Sequence, residues 1–517
     1  MRRRRRLLAA ALALVASSTL AVGGPSHAEP ASVGIHWSEV GPSVRVGDPV
    51  AAVLEVDGGS EVAVVELSAT GARFTALPAG CTPSSVIHER SSISADGDTM
   101  RCLVQPRDLR LSVPLVVTAA YGEQVAVEAS TGRSGAATTG LLSLGGRAER
   151  AAYRFLSSPD FLNADVGDLR RGPTSWSPSR SENSTNAAYR TALDRVLDAF
   201  VAERAGSVLV AGDLVEGHWQ TDKTGARVFG PVATHRERKQ AIRRAAATYY
   251  PQWLERFRSR GLSVLPAIGD HELGDNPWRK RDRALVPAFE QAWARWFARR
   301  ADGSPRWKDR PRGSRHEMLA YAVRPVPELQ LVTLDVLDIT AHRARVQVDR
   351  AQLAWLRGVL ERARRDGVPW VVVQGHAPVL AVPRSRGSSG LTVEGGHRSA
   401  LWRTFREYGV DLYLAGEVHD VSAATRDGVV QVTHGGMFQY GLTNYLRADV
   451  HADRLELQLR DFDVTWADAP DGSRLWQTRP SGIPKVVRVR PEPFTIGTMT
   501  LDADGLRESS GVLRPIG

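Results

Sequence analysis

Four short apolar runs in this 517-residue chain end in side chains that can bind a metal or carry a proton. Ser207 to Gly217 reads Ser-Val-Leu-Val-Ala-Gly-Asp-Leu-Val-Glu-Gly, and its β-branched run stops at Gly212-Asp213. The run from Leu262 stops at Gly269-Asp270-His271-Glu272. The run from Val368 stops at Gly375-His376, and the run from Val410 at Gly416-Glu417-Val418-His419. A continuous apolar run of this length reads as a buried parallel strand. In open α/β sheets, ligands bind in the crevice beyond the C-terminal ends of such strands. One Gly-Asp pair has little specificity. Four successive strand ends bearing Asp, Asp-His-Glu, His and Glu-x-His point to a metal centre at one edge of a sheet.

The elements that must position these residues are also legible. Each run follows a helix-like segment closed by Gly206, Gly261, Gly367 or Gly409, the residue type that ends helices in the left-handed conformation. Upstream, Tyr153–Ser158 is a strand that ends in Pro159-Asp160, followed by a loop rich in oxygen ligands, Asn163, Asp165 and Asp168. Leu193, Val196, Leu197, Phe200 and Val201 make one apolar helix face. A second helix spans about 236–260, with Pro251 expected to kink or divide it. Asp349 caps a helix from Arg350, and Gln352 makes a capping box possible. Met318–Val323 and Leu329–Leu334 read as a strand pair.

Length implies more than one core, and the apolar and charged fractions are those of a globular chain. Residues 1–28 read as a signal peptide. Arg2–Arg6 form its basic start, loosely compatible with a twin-arginine signal, Leu7–Val22 its apolar stretch, and Ser26-His27-Ala28 a small-residue cleavage site. No stable membrane span is expected after cleavage. Removing five arginines lowers the net charge from +10 to about +5. With no nucleic-acid module and no basic stripe, a nucleic-acid partner is not inferred. Residues 29–130 carry short β-rich runs between turn signals, expected to form an all-β immunoglobulin-like sandwich. Cys81 and Cys102 fit one structural disulfide of an exported protein. Residues 131–149 read as a Gly/Ser/Thr-rich linker, 150–465 as the α/β domain, and 466–517 as a C-terminal β extension packed on it.

The order Asp, Gly-Asp, Gly-x-His-Glu, Gly-His, Gly-x-x-His resembles the calcineurin-like metallophosphoesterases, which include the purple acid phosphatases. The resemblance runs from Arg154 to Phe462, about 60% of the chain, and includes the Gln-Leu-x-Trp-Leu core of the helix before His376. It implies a four-layer αββα sandwich holding two metal ions. Carried over position by position, Asp213 would bridge the ions. Asp160 and His419 would complete one site, and Asp270, His376 and Glu417 the other. His271 would act as general acid or hydrogen-bond donor, oriented by Glu272.

Three positions depart from the family pattern. The opening Asp-x-His is Asp160-Phe161-Leu162, the motif asparagine is Asp270, and the first histidine of Gly-His-x-His is Glu417. Asn163 or Asp165 could replace the missing histidine. Anionic oxygen in place of neutral ligands favours manganese or iron over zinc. The implied function is exported, metal-dependent hydrolysis of a phosphate mono- or diester by in-line attack of a metal-bridging hydroxide. The alternative is a non-catalytic metal-binding or surface-binding protein on the same scaffold. Other candidates are His218, Trp219 and the Trp278–Arg281 segment as a substrate rim, His434 as support for the site, and Asn183-Ser184-Thr185 as a glycosylation sequon.

Overall fold

A computed structural model describes residues 32–38, 48–57, 63–83, 98–104, 109–118, 124–131, 137–143, 151–161, 187–215, 217–221, 227–384, 388–436, 443–468 and 485–516. Residues 1–28, read as a signal peptide, Asn163, Asp165 and the sequon lie outside the described residues.

The α/β part is built on two seven-stranded sheets. The first runs in the order Val264–Ala267, Ser207–Ala211, Tyr153–Ser157, Asn444–Val450, Leu455–Asp461, Phe494–Asp502, Gly505–Gly511. Its first three strands are parallel and the rest antiparallel. The second runs Tyr321–Val326, Leu329–Thr333, Trp370–Gln374, Leu412–Ala415, Val429–Thr433, Ser422–Arg426, Pro515–Ile516. Its middle four strands are parallel. Burial on both faces explains why these strands read as unbroken apolar runs. Phe155, Leu209 and Leu265 of the first sheet share one core with Leu331, Val372 and Leu412 of the second. The alternate residues, among them Leu156, Val210, Val373 and Tyr413, pack in a second core with the helices.

The helices follow their sequence signals with two exceptions. Ala187–Ala202 buries Leu193, Val196, Leu197 and Phe200, but Val201, expected on that face, is 42% exposed. Helix His235–Arg258 continues through Pro251, which neither divides nor ends it. Its start is fixed by a capping box between Thr234 and Glu237. Asp349 caps helix Arg350–Arg365 by accepting from Gln352 N. The reciprocal bond is replaced, because the Gln352 amide turns inward and exchanges two hydrogen bonds with the Asp335 backbone.

The N-terminal part consists of a four-stranded and a five-stranded sheet over one apolar core. Cys81 and Cys102, directly paired across neighbouring strands, form a disulfide. The stretch read as a linker instead contains strand Ala137–Ser143, which pairs along Gln124–Thr131. The C-terminal segment, read as a β extension packed on the domain, supplies strands to both large sheets. Phe494–Asp502 and Gly505–Gly511 complete the first large sheet and Pro515–Ile516 the second. The two parts are joined by a buried ion pair from Arg73 to Asp463, 2.6 Å long with both side chains 5% exposed. The Arg73 guanidinium also lies over the Phe494 ring. Arg490–Asp98 and Arg514–Asp48 add two more exposed pairs. Among the described residues, no helix is long and apolar enough to cross a membrane.

Candidate metal centre

The strand ends converge from two sheets, not from one. The first sheet delivers Asp160, Asp213 and Asp270, and the second delivers His376, Glu417 and His419. Because the two sheets pack face to face, their C-terminal strand ends meet along a common edge. Six side chains gather there, none more than 4% exposed. Two triads of ligand atoms lie within 4.8 Å of one another: Asp160, Asp213 and His419, and Asp270, His376 and Glu417. Asp213 also groups with Asp270 and His271 at the same spacing, which puts it between the triads.

The backbone is bent to achieve this. Asp160, Asp213, Glu417 and His419 all have positive φ, between 48° and 70°, as do His218 and Asp275 beside them. Asp and His tolerate the left-handed region better than branched residues do, yet each such residue costs about 1–3 kcal/mol. The flanking glycines are needed for space. A Cβ on Gly269 would lie 2.1 Å from Asp213 Oδ1, and one on Gly416 would lie 2.6 Å from Asp160 Oδ2. At Gly269 and Gly416 the missing side chain is therefore a gap that the neighbouring carboxylate occupies.

His376 shows what the cluster is built to hold. Its Nδ1 donates to the Ala211 carbonyl at 2.9 Å, which directs Nε2 inward. Nε2 then faces Asp270 at 2.9 Å, Glu417 at 3.4 Å and Asp213 at 3.5 Å. Three carboxylates aimed at one nitrogen fit either an imidazolium or a shared cation. Burial disfavours the imidazolium, but Asp213, Asp270 and Glu417 outweigh it and raise the His376 pKa well above its ordinary value. Burial, then the Asp270 carboxylate, pushes Asp213 far up. Burial would raise Asp270 too, but the His376 hydrogen bond and the two histidine charges hold it far below the usual carboxylate range. Four buried carboxylates in mutual contact require positive charge, and the oxygen-and-imidazole donor set fits divalent or trivalent metal ions.

The two unusual carboxylates are each tied by one oxygen. Asp270 Oδ2 accepts from Asn276 Nδ2 at 2.6 Å, leaving Oδ1 toward His376. Glu417 Oε1 accepts from Ser388 Oγ, Ser389 Oγ and Leu391 N, at 3.1, 2.6 and 3.0 Å, leaving Oε2 inward. Each thus presents a single oxygen, as a neutral monodentate ligand would. These partners escaped the sequence reading, because neither the short Asn276 loop nor the Ser388-Ser389 loop carries a motif. Asp160 is held by both oxygens, which accept from Glu417 N at 3.0 Å.

Glu272 does something different from the expected orienting of His271. Its Oε2 accepts from Asp213 N and Gly269 N at 2.9 and 2.8 Å, and its Oε1 from Leu214 N and Val215 N at 2.8 and 3.1 Å. It clamps the two ligand loops together through their main chains. His271 lies at the mouth, 15% exposed, with Nε2 3.8 Å from Asp213 Oδ2. Its ring meets His218 edge-on at 5.8 Å, and His218 Nε2 contacts Asp275 at 2.5 Å. Of the other candidates, Trp219 and Trp278 are buried. Trp219 packs against Tyr249, Tyr250 and Phe289, and Trp278 Nε1 donates to the Leu273 carbonyl. These are core contacts, not a rim. His434 is fully buried beside Ser157 Oγ at 3.0 Å, and burial lowers its pKa to about 4.

Among solved structures, the chain is similar to GAP50, the anchor in the inner membrane complex of Plasmodium. The identity is 13% and the TM-score 0.32, over 60% of this chain and 85% of that one. It is also similar to Vacuolar Protein Sorting 29 from Cryptosporidium parvum, at 9% identity and a TM-score of 0.26, over 67% and 99%. The Reelin-N domain of F-spondin matches 22% of this chain and 86% of its own, at 12% identity and a TM-score of 0.16. At these scores the likenesses carry no argument. No curated protein matches the sequence. Residues 166–421 match the model of the calcineurin-like phosphoesterases, a span that holds every residue of the cluster except Asp160, and the chain belongs to that family.

Proposed function

We propose that the chain is an exported metal-dependent phosphoesterase that hydrolyses a phosphate mono- or diester at the Asp213 cluster. The observation that carries this is the pair of buried ligand triads meeting at Asp213. Asp160, Asp213 and His419 would hold one ion, and Asp270, His376 and Glu417 the other. When bound, two such ions acidify water and neutralise phosphoryl oxygens. The single inward oxygens of Asp270 and Glu417 favour manganese or iron over zinc. The chain's own groups do the rest. Glu272 fixes the spacing of the Asp213 and Asp270 loops. His271, at the mouth, is placed to give a proton to the departing ester oxygen. The fold reading that goes with this is a four-layer αββα sandwich behind an immunoglobulin-like domain. The basic, apolar and small-residue order of residues 1–28, together with the disulfide, supports export.

The test uses the protein from residue 29 onward. Elemental analysis gives bound metal, and nitrophenyl phosphate and bis-nitrophenyl phosphate are assayed with manganese, iron or zinc. Two metals per chain, with turnover abolished in Asp213→Asn, are expected. Turnover of neither ester by a metal-loaded protein would overturn the enzymatic reading in favour of a binding protein. Full activity with zinc alone would overturn the metal preference.

A further inference from the structure

A cavity of about 950 Å³ opens beside the last turns of helix His235–Arg258, remote from the metal ligands. That helix runs back along the sheet to the start of strand Val264–Ala267, whose other end carries Asp270. The cavity therefore belongs to the sheet edge opposite the cluster. Its lining contains eight arginines and one carboxylate, Glu255. Arg260 is neutralised by Asp194 at 2.8 Å and Asp198 at 3.1 Å, and Arg258 lies 3.8 Å from Glu255.

The arginines of the opposite wall are different. Among the described residues, no carboxylate forms an ion pair with Arg295, Arg299, Arg300 or Arg306. The nearby acids are engaged elsewhere. Asp302 accepts from Ser304, and Glu317 from Arg310 and Gly313. Arg306 is only partly exposed. Burial and the charges of Arg258 and Arg300 work against its guanidinium, lowering its pKa. Gathering like charges around a concave surface costs free energy, against which stand the charges of Asp302 and Glu317 and the rings of Trp296 and Trp307. A bound anion would recover it.

We infer that this cavity is a second, non-catalytic binding site for a ligand carrying several phosphate groups. Guanidinium forks match phosphate oxygens two at a time. About 300–1,000 Å³ is the range of pockets that enclose whole small molecules, so the volume exceeds what one phosphate fills. Leu254, Pro251 and Trp296 give the cavity an apolar wall for the atoms linking those phosphates. Sitting apart from the metal cluster, the site can hold one part of a phosphate-rich chain with no demand on catalysis. The inference stands whether or not the cluster turns over substrate.

Calorimetric titration of the protein from residue 29 onward, at fixed physiological salt, tests it with tripolyphosphate and with a glycerol-phosphate oligomer. These two probes distinguish a P–O–P chain from a polyol-linked one. Arg295 and Arg300 are exposed, so Arg295→Glu/Arg300→Glu should fold normally. It should weaken binding of the preferred probe by about tenfold or more, about 1.4 kcal/mol. Asp213→Asn should leave that binding unchanged. Undiminished binding in the double variant would overturn the site. So would loss of binding in Asp213→Asn, which would place the phosphates at the metal cluster. Failure of both probes to bind, or equal binding of dextran sulfate, would overturn the phosphate assignment.

Discussion

Glu272→Gln separates two roles for the residue beside His271. Each carboxylate oxygen of Glu272 takes two main-chain N–H bonds, four in all, from Gly269, Asp213, Leu214 and Val215. A glutamine keeps only one acceptor oxygen. Its amide nitrogen must then face two buried N–H donors, so two bonds are lost and two donors orphaned. Hydrogen bonds to a charged group contribute about 1.5–3 kcal/mol each, so the expected loss is about 3–6 kcal/mol. That is a large share of a typical domain's ~5–15 kcal/mol. Burial raises the Glu272 pKa, so the comparison is run as a pH series, and the difference should be largest at its alkaline end. The assay is urea unfolding of both proteins, with and without manganese, alongside His271→Ala. That variant removes a partly exposed ring. It should change stability by less than about 1 kcal/mol while lowering turnover by about 10²–10⁴. A Glu272→Gln protein as stable as the wild type would refute the clamp. Equal stability losses in the two variants would refute the separation of roles.

Three further outcomes follow from the same structure. Asp411 accepts from Val371 N at 2.7 Å, and burial raises its pKa from 3.8 to about 7. Its folded-state pKa lies above the unfolded one, so its stabilisation is complete below about pH 4 and is lost as pH rises through about 7, at most about 4 kcal/mol. Asp411→Asn should flatten that part of the stability profile in urea unfolding, and an unchanged slope would count against the assignment. Gly269→Ala puts a methyl group against Asp213. Elemental analysis should find metal lost from a chain whose circular dichroism is intact, and retention of full metal would show that the loop has room. Arg73→Ala removes the 2.6 Å ion pair to Asp463 in the junction between the β-domain and the α/β part and leaves Asp463 with Arg490 at 3.6 Å, at a cost of about 1–3 kcal/mol. Calorimetry should then resolve two unfolding transitions in place of one, and a single undisplaced transition would show that the junction does not couple them.

The cluster was readable because each of its proposed ligands follows a strand, and a strand end buried on both faces leaves an apolar run cut off by Gly and a polar residue. Asp213, Asp270, His376, Glu417 and His419 announce themselves this way. What the runs do not encode is which sheet each strand joins. Val368 and Val410 begin runs indistinguishable in kind from those at Ser207 and Leu262, yet they enter a different sheet. The loop partners were hidden for another reason. Asn276 and Ser389 act through one hydrogen bond each, and a single polar residue in a loop has no periodicity to betray it. Glu272 was visible, but its neighbour in sequence pointed to His271 alone and not to the four backbone donors. A carboxylate next to a histidine reads as a pair, while the backbone donors it serves have no signature in side-chain identity. Pro251 does not divide its helix, because a helix supported along its length by Tyr249, Tyr250 and Trp253 in the core can absorb the lost bond.

The position of the last strands sets when this protein can become itself during synthesis. Tyr153–Ser157, which leads to Asp160, has Asn444–Val450 as one of its two neighbours, and that strand in turn leans on Leu455–Asp461 and Phe494–Asp502. A nascent chain that has reached His419 already owns every proposed ligand, but one large sheet still lacks four of its seven strands. Until about the final seventy residues emerge, the Asp160 strand has an open edge, able to pair with any passing strand. Such long-range closure is slow. The proposed ligands would then be held together for metal only once those strands have paired, and the cellular compartment where that happens would decide which ion they meet first.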